Sequence, residues 1–191
     1  MTSTSPATGT ATRTATSTAT STATWTASAT APPSPTPSPT ETSSAGGSLT
    51  GSVRLPWLAS HADTTIYLDG VASGSTAADG SFIVQDIAPG THTVEARHLG
   101  YLSSSRDVEV AGGQTVNIGE TLLVAGDAQP DNAIDLEDVL LVETVFGLCE
   151  GDSRFEPAAD ANQSGCIDAF DVAAVLDSLG RVGPTRWWAG P

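Results

Sequence analysis

Two stretches of this chain repeat one pattern of residues, and this repeat limits the fold more than any other feature. They are GDAQPDNAIDLEDVLLVETVFG at 126–147 and ADANQSGCIDAFDVAAVLDSLG at 159–180. A constant offset over such a length indicates an internal duplication, so we expect two copies of one structural unit. The residue pairs that lie 33 positions apart include Asp127 and Asp160, Ile134 and Ile167, Asp135 and Asp168, Asp138 and Asp171, and Gly147 and Gly180.

Each copy begins with oxygen-bearing residues at the spacing of a calcium loop. Ca²⁺ takes six to eight oxygen ligands, and a twelve-residue loop supplies them from positions 1, 3, 5, 7, 9 and 12, with position 7 giving its backbone carbonyl. In the second copy, which we name loop 2 (residues 160–171), Gly165 stands at position 6, where the loop must turn sharply. Position 12 is Asp where Glu is usual. The predicted ligands are Asp160, Asn162, Ser164, Cys166, Asp168 and Asp171.

The first copy, loop 1 (residues 127–138), follows the same spacing less regularly. Gln129 at position 3 is longer than Asp or Asn and reaches an ion less well, whereas Asn132 at position 6 is a residue that tolerates the left-handed conformation. Four carboxylates in so short a loop repel one another without a cation. We therefore predict two bound Ca²⁺ ions, with loop 2 the better formed site. The predicted ligands in loop 1 are Asp127, Gln129, Asp131, Ala133, Asp135 and Asp138.

An amphipathic helix is predicted after each loop. From Val172 to Leu179, apolar residues recur at i, i+3, i+4 and i+7, and the first copy carries a matching stripe. Ile134 and Ile167, at position 8 of the two loops, are predicted to pair with each other between the loops. Glycine commonly follows the last residue of a helix, and the expected stops are Gly147 and Gly180.

A calcium loop followed by one helix, present twice and without an entering helix before the first loop, resembles a dockerin over residues 126–183. The resemblance implies a small α module with two EF-hand-like loops, and a cohesin-like protein module as its partner. The recognition positions of that family are the tenth and eleventh of each loop. The first pair here differs from the Ser-Thr pair often found there. The residues implied as partner contacts are Leu136, Glu137, Ala169 and Phe170.

Two leucines add apolar surface to the first helix. Leu140 and Leu141 stand where the second helix has Ala173 and Ala174. Two explanations stay open with equal weight. Both leucines belong to a partner-binding face, or they pack against the preceding β-domain or the other helix.

Residues 48–124 are predicted to form short β-strands. In LTGSVRL at 49–55, alternation places Leu49, Val53 and Leu55 on one face, and in THTVEARHL at 91–99 it places Val94 and Ala96 on one side and the charged Glu95 and Arg97 on the other. Asp-Gly and Pro-Gly turns separate the segments, and no helical period is present. Together these signals predict a small antiparallel β-sandwich.

The same region resembles the carboxypeptidase regulatory-like domain. The resemblance lies in the turn ADGSF, the bend IAPG and a strand ending in GYLS. It implies an immunoglobulin- or transthyretin-like β-sandwich, grouped with carbohydrate-binding-like folds and usually non-catalytic. We therefore expect a multidomain chain with a β-sandwich at 48–124, an α module at 126–183 and a tail at 184–191.

Residues 1–46 are nearly all Thr, Ser, Ala and Pro, with only Arg13 and Glu41 charged. Such a composition cannot bury enough apolar surface to offset the entropy of the chain, so a disordered linker is predicted. Linkers of this kind are typical of secreted proteins, although the start MTSTSPATGT lacks the features of a signal peptide. We expect an extracellular protein that has lost an upstream segment or whose true start is not Met1.

Net charge argues against nucleic-acid binding, and hydropathy argues against a transmembrane helix. The formal net charge is -15 and all seven basic residues are Arg, whereas nucleic-acid binding requires clustered positive charge. No apolar run is long enough for a transmembrane helix. Nucleic acid and a membrane span are therefore not expected.

The two cysteines lie at the end of the first copy and inside loop 2. In an extracellular chain, Cys149 and Cys166 are predicted to form a disulfide, with two buried free thiols as the alternative. Two cysteines without a nearby histidine do not supply the four ligands of a zinc site.

No catalytic motif is present, and the chain is predicted not to be an enzyme. His92 and His98 share the parity of a strand face and are expected to be structural. Trp187 and Trp188 are expected to pack on the α module or to stay partly exposed. The predicted function is calcium-dependent attachment to a protein in a polysaccharide-degrading system. The alternatives are carbohydrate binding by the β-sandwich, and a C-terminal fragment of a glycoside hydrolase.

Overall fold

Within residues 45–187, the part of the chain that the structure describes, ten β-strands and two α-helices are present. The structure is a computed structural model. The helices are α1 Leu136–Val145 and α2 Ala169–Ser178, and a short 3₁₀ helix spans Pro157–Ala159. The strands are β1 Gly47–Arg54, β2 Thr65–Leu68, β3 Val71–Ser75, β4 Ser81–Ile87, β5 Gly90–Arg97, β6 Gly100–Leu102, β7 Ser104–Val110, β8 Thr115–Leu122, β9 Val124–Asp127 and β10 Thr185–Arg186.

Two sheets form the predicted β-sandwich. One has the order β4-β1-β8 and the other β10-β7-β5-β2-β3. The alternation in the sequence places one side of each strand inside: Leu49 and Val53 of β1 are fully buried, whereas Arg54 is exposed. The buried side chains of both sheets meet in one apolar core, as expected for a sandwich. The main members of this core are Leu49, Val53, Leu55, Ile66, Phe82, Val84, Val94, Ala96, Val110, Ile118 and Leu123.

The prediction that all strands are antiparallel is wrong for two pairs. Strand β8 runs parallel to β1, with Ser48 opposite Thr115 and Arg54 opposite Leu122, and β10 runs parallel to β7. A parallel pair requires a long crossover connection. The chain between β1 and β8 provides one, because it passes through the other sheet before it returns. Apolar and polar residues alternate in the same way in parallel and in antiparallel strands, so the sequence pattern did not reveal the parallel pairs.

The tail enters the β-sandwich, contrary to the expectation that it packs on the α module. Trp187 is buried in the sandwich core and its ring meets that of Phe82 edge-on, with 5.9 Å between the ring centroids and 75° between the planes. The pairing of β10 with β7 brings the tail to this position. Trp188 lies outside the described residues.

Strand β9 leads directly from the β-sandwich into loop 1. It pairs with β6, and α2 packs against it. Gly126 in β9 has a φ of 122°, and a Cβ there would lie 3.0 Å from the Cα of Val175, so the close approach of α2 requires glycine. The predicted boundary between residues 124 and 126 falls within β9. The division into two domains stays a prediction.

The two loop–helix units have the same local structure, as the repeat predicts. Asp135 and Asp168 cap the N-termini of α1 and α2, each within a capping box. Gly147 and Gly180 follow the helices with φ values of 80° and 84°, which confirms the predicted stops.

The backbones of the two position-8 isoleucines do not pair with each other. Ile134 receives the N–H of Gly180 on its carbonyl, at 2.7 Å, and donates its own N–H to Arg181 at 2.8 Å. Ile167 makes the equivalent bonds with Gly147 and Leu148, at 2.8 and 2.9 Å. Each loop is thus bonded to the segment that follows the opposite helix, while both isoleucine side chains are buried in one cluster.

The disulfide between Cys149 and Cys166 is present, as predicted. It joins the segment after α1 to loop 2, and the two residues also form an isolated antiparallel bridge. The predicted alternative of two free thiols is therefore wrong.

Removing the disulfide is expected to destabilise the protein by about 2–4 kcal/mol, because the bond closes a loop between residues 17 apart and restricts the unfolded chain. The double variant Cys149→Ala/Cys166→Ala should unfold at a lower urea concentration than the oxidised wild type. Reduction of the wild type with a thiol provides the matched control and should give a similar shift. An unchanged urea midpoint in both would contradict this prediction.

Candidate functional site

A buried carboxylate opens each loop. Asp127 and Asp160 are 4% and 6% exposed. The two oxygens of Asp160 accept hydrogen bonds from the N–H groups of Ser164 at 3.0 Å and Gly165 at 2.8 Å. Asp127 accepts the equivalent pair of bonds from positions 5 and 6 of loop 1, both at 3.1 Å. The first residue of each loop therefore organises the turn that follows it.

A second buried carboxylate closes each loop. Asp138 and Asp171, at position 12, are 1% and 0% exposed. One oxygen of each accepts the N–H of the N-cap residue at 2.8 Å, and the other accepts an N–H from the start of the loop, at 2.9 Å from Gln129 and 2.8 Å from Ala161. The short Asp side chain at position 12 thus reaches back across the loop.

The sharp turn at position 6 is present in both loops. Gly165 has a φ of 86° and Asn132 a φ of 68°, so the prediction that Asn132 takes the place of glycine is confirmed. The Asn132 amide oxygen also accepts the N–H of Ser103 at 2.8 Å, which ties loop 1 to the chain between β6 and β7.

The residues at the middle positions of loop 2 are hydrogen-bonded to one another. The Asn162 amide oxygen accepts the N–H of Ser164 at 3.0 Å, and the Ser164 hydroxyl donates to the carbonyl of Cys166 at 2.9 Å. Positions 3, 5 and 7 therefore place an amide, a hydroxyl and a carbonyl oxygen side by side.

The middle positions of loop 1 are more open. Gln129 and Asp131 are exposed, and Asp131 accepts the N–H of Ala133 at 2.9 Å. The side chain of Gln129 makes no hydrogen bond within residues 45–187. The two loops therefore differ in structure at position 3, where loop 1 has Gln129 and loop 2 has the hydrogen-bonded Asn162.

The structure brings some of the predicted ligands together and leaves others apart. The charge of Asp138 raises the pKa of Asp127, and the charge of Asp160 raises that of Asp171, so the first and last acids of each loop lie near enough to interact. Among residues 45–187, no group of three His, Cys, Asp or Glu side chains has the arrangement of a metal site. Ca²⁺ also takes amide, hydroxyl and backbone carbonyl oxygens, which loop 2 carries at Asn162, Ser164 and Cys166.

The paired acids are held in an unfavourable electrostatic state. Burial, together with the charges of Asp138 and Asp131, raises the pKa of Asp127 to about 6, against the backbone hydrogen bonds that it accepts. Burial likewise raises the pKa of Asp171, and the charge of Asp160 adds to the effect. A bound cation would stabilise the ionised carboxylates and so offset the effect of these surroundings.

The residues predicted to contact a partner are mostly on the surface. Leu136 is 65% exposed, Leu140 55% and Phe170 73%. Glu137 and Ala169 are also exposed, whereas Leu141 is half-buried against the apolar cluster of the loops. The alternative that both leucines pack inside is therefore wrong for Leu140. Leu141 fits the packing explanation better.

A contact between loop 2 and the β-sandwich was not predicted. The Tyr101 hydroxyl, which is buried, donates to the carbonyl of Ala161 at 2.7 Å, and the amide nitrogen of Gln163 lies 2.9 Å from Nε2 of His98. Burial raises the pKa of Tyr101. The alternation of residues along the strand indicates that Tyr101 faces the apolar core. The sequence carries no signal that its hydroxyl bonds Ala161, which lies 60 residues away.

The two histidines in β5 and just after it are both held by hydrogen bonds. Nδ1 of His98 lies 3.2 Å from the Thr64 hydroxyl, and burial lowers the pKa of His98. Both ring nitrogens of His92 face acceptors: the Asp69 carboxylate at 2.7 Å and the carbonyl of Ala88 at 2.7 Å. The hydrogen bond to Asp69, followed by that to Ala88, raises the pKa of His92.

Replacement of His92 by Gln is expected to change how stability depends on pH. Because the folded-state pKa of His92 is raised, its protonated form stabilises the fold fully below about pH 6.5, and this contribution is lost as the pH rises through the folded-state value. Urea unfolding of wild type and His92→Gln at about pH 6 and pH 8 should show a larger cost of the substitution at the lower pH. Asp69→Asn removes the same pair and serves as the matched variant. An equal cost at both pH values would contradict the assignment.

Comparison with known proteins identifies the β-sandwich. Residues 48–123 match the carboxypeptidase regulatory-like domain. This confirms the family predicted for the region at 48–124. A search of curated proteins found no match.

The chain also resembles solved structures from Acetivibrio cellulolyticus. They are a C-terminal and an N-terminal interface mutant of a type II cohesin–X–dockerin complex, each 27% identical with a TM-score of 0.60. In each case the similarity covers 72% of this chain and 97% of the other. That share exceeds the length of the carboxypeptidase regulatory-like domain, so the likeness extends beyond it into the loop–helix region.

The prediction of a cohesin-like partner is corrected by this result. The likeness is to a chain of an assembly that itself contains a cohesin. The prediction that a cohesin is the separate protein that binds this chain is therefore withdrawn.

Among residues 45–187, no helix is long and apolar enough to cross a membrane.

Proposed function

We propose that residues 126–183 form a calcium-stabilised attachment module of the dockerin type, in an extracellular, non-catalytic protein of a polysaccharide-degrading system. The observation that carries the proposal is the pair of matched loops, each with a buried acid at its first and last position. In each loop, the acids at positions 1 and 12 are nearly inaccessible to solvent. The hydrogen bonds that they accept come from backbone N–H groups of the same loop. These hydrogen bonds fix the positions of the carboxylates within each loop before any ion binds.

The chemistry of the donors favours calcium over other metals. Loop 2 offers carboxylate, amide, hydroxyl and carbonyl oxygens and no imidazole, and its one cysteine sulfur is in the disulfide. Zn²⁺ prefers nitrogen and sulfur ligands, and Mg²⁺ keeps several of its waters. A flexible set of six or more oxygens is the environment that Ca²⁺ takes.

The proposed attachment face is the exposed side of the two helices. Leu136 and Leu140 lie one turn apart on α1, and Phe170 occupies the first turn of α2. Large exposed apolar side chains grouped on one module are typical of a protein interface. Since acids of the same loops cap both helices, calcium would fix the relative positions of these side chains.

The similarity to a chain of a cohesin–X–dockerin complex supports attachment as the biochemical role. The carboxypeptidase regulatory-like domain would then serve as the support on which the module is mounted. Its contacts with loop 2 through Tyr101 and with loop 1 through Asn132 are consistent with that role.

Calorimetric calcium titration tests the proposal. The wild type, first stripped with a chelator, is expected to bind two Ca²⁺ ions at millimolar concentration or below. Asp160→Ala and Asp171→Ala should each remove one binding event and leave the event at loop 1. Asp127→Ala and Asp138→Ala are the matched variants in the other loop. No heat of binding in the wild type would overturn the metal assignment.

Attachment is tested separately on the calcium-loaded protein. Isolated X and dockerin modules of the matched complexes are passed over the immobilised protein, and surface plasmon resonance reports binding. Leu140→Ala should weaken binding, whereas Leu122→Ala, an equally exposed leucine on β8, should not. Equal binding by both variants, with calcium titration unchanged, would show that the helices do not carry the interface.

A further inference from the structure

An open groove lies where the β-sandwich meets loop 2 and α2, and the proposed function gives no role to the groove itself or to Trp57 and Asp177, which line it. Its volume is about 660 Å³, which falls in the range of small-molecule sites. Two aromatic rings stand in it: Trp57 is 60% exposed and Phe170 73%. We name it the Trp57 groove. Its principal lining residues are Trp57, Ala161, Asn162, Ser164, Phe170 and Asp177.

The backbone holds Trp57 in a costly conformation. Its φ is 64°, in the left-handed region, which a bulky aromatic residue rarely adopts. The neighbouring Leu55 is buried in the sandwich core, and the Tyr101 hydroxyl lies 3.4 Å from the carbonyl of Pro56. The preceding residues are therefore anchored, and the strained position keeps the indole at the surface. Such strain tends to accompany functional positions.

The groove offers hydrogen-bonding groups beside the rings. Asn162 uses its amide oxygen for the N–H of Ser164, so its amide nitrogen remains as a donor. The Asp177 carboxylate is exposed, and none of the hydrogen bonds within residues 45–187 uses it. Donor and acceptor groups thus flank an aromatic surface.

Charge limits the ligand to neutral or cationic molecules. The protein has a formal net charge of -15 and no Lys, and the one charged lining residue is Asp177. An anionic polymer would be repelled. Peptides that add a strand need an open sheet edge, whereas the residues lining this groove belong to loops and to α2. A neutral ligand with apolar ring faces and many hydroxyls fits the combination of indole, amide and carboxylate.

We infer that the Trp57 groove binds a neutral oligosaccharide. The indole of Trp57 stacks on the C–H face of a sugar ring, while Asn162 and Asp177 bond its hydroxyl groups. This gives the chain a carbohydrate contact that borders the proposed attachment face at Phe170 and lies where the β-sandwich meets loop 2. The buried Tyr101, by contrast, presents no face to a ligand.

Titration of the calcium-loaded protein with cellohexaose, xylohexaose and mannohexaose, followed by intrinsic fluorescence and by calorimetry, tests the inference. At least one sugar should bind with saturation. Trp57→Gly should weaken this binding at least about tenfold, and it should not unfold the protein because glycine tolerates the φ of this position. Trp57→Phe should restore part of the affinity, and Asp177→Asn should weaken it.

The matched control is Phe146→Ala, which removes another exposed aromatic ring outside the groove and should leave sugar binding unchanged. Absence of saturable binding to all three sugars in the wild type would overturn the inference, as would equal affinity of Trp57→Gly. Preferential binding of a proline-rich peptide by the wild type would also overturn it and would assign the groove to a peptide. Calcium titration of Trp57→Gly should match that of the wild type, so a failure here is distinct from a failure of the proposed calcium sites.

Discussion

Calcium is expected to raise the melting temperature of the protein by on the order of 15 °C. A ligand that binds only the folded state stabilises it by about 2.7 kcal/mol at a hundredfold excess over its Kd, so two sites contribute about 5 kcal/mol. For a unit of this size, each kcal/mol corresponds to a few degrees. The physical origin is the burial of acids such as Asp127, together with the repulsion that Asp127 meets from Asp138, both of which a bound cation would offset. Thermal unfolding in excess Ca²⁺ and in chelator measures the shift.

Variants identify where this stabilisation arises. Asp171→Asn should lose about half of the calcium-dependent shift, and the combination Asp138→Asn/Asp171→Asn nearly all of it. Glu109→Gln changes the net charge by the same amount on the exposed side of β7 and should keep the full shift. Mg²⁺ in place of Ca²⁺ should have a much smaller effect. Identical melting temperatures in calcium and in chelator would contradict the prediction.

Replacement of Trp187 by Ala is expected to cost about 3–5 kcal/mol, the usual loss when a large buried aromatic residue is truncated. The side chain is 2% exposed, lies in the core of the β-sandwich and contacts Phe82 edge-on. Its loss also removes the anchor that keeps β10 beside β7. Urea unfolding of Trp187→Ala should show a much lower midpoint than the wild type.

Trp187→Phe separates packing from hydrogen bonding. The indole N–H is buried without a hydrogen-bond partner among residues 45–187, so the smaller aromatic ring removes an unpaired donor along with some volume. Its cost should be well below that of alanine, about 1 kcal/mol. Equal losses for Phe and Ala would mean that the ring does not pack as described.

The local structure of the loop–helix units was predictable because it depends on short-range chemistry. An Asp at position 9 has its N-cap partner two residues away, as Asp168 has in Phe170. The left-handed turn at Asn132 follows from its own conformational preference and from its place in the loop. The alternation in β1 and β5 likewise depends only on which residues face the core.

Long-range placement was not predictable from these patterns. The partner of β8, the entry of Trp187 into the sandwich and the bond between Tyr101 and Ala161 all join residues far apart in the chain. A residue's hydrophobicity indicates that it is buried, but not in which core. The exposure of Leu140 could likewise be decided only after the position of α1 was known.

The crosswise bonds of the isoleucines make the two copies mutually dependent. A chain cut after Cys149 would leave the N–H and carbonyl of Ile134 without the partners that Gly180 and Arg181 provide. We therefore expect a single copy to be unfolded when it is separated from the other. Amide hydrogen exchange at Ile134 and Ile167 should occur only through an opening shared by both copies, so losing the ion from one loop would speed exchange in the other.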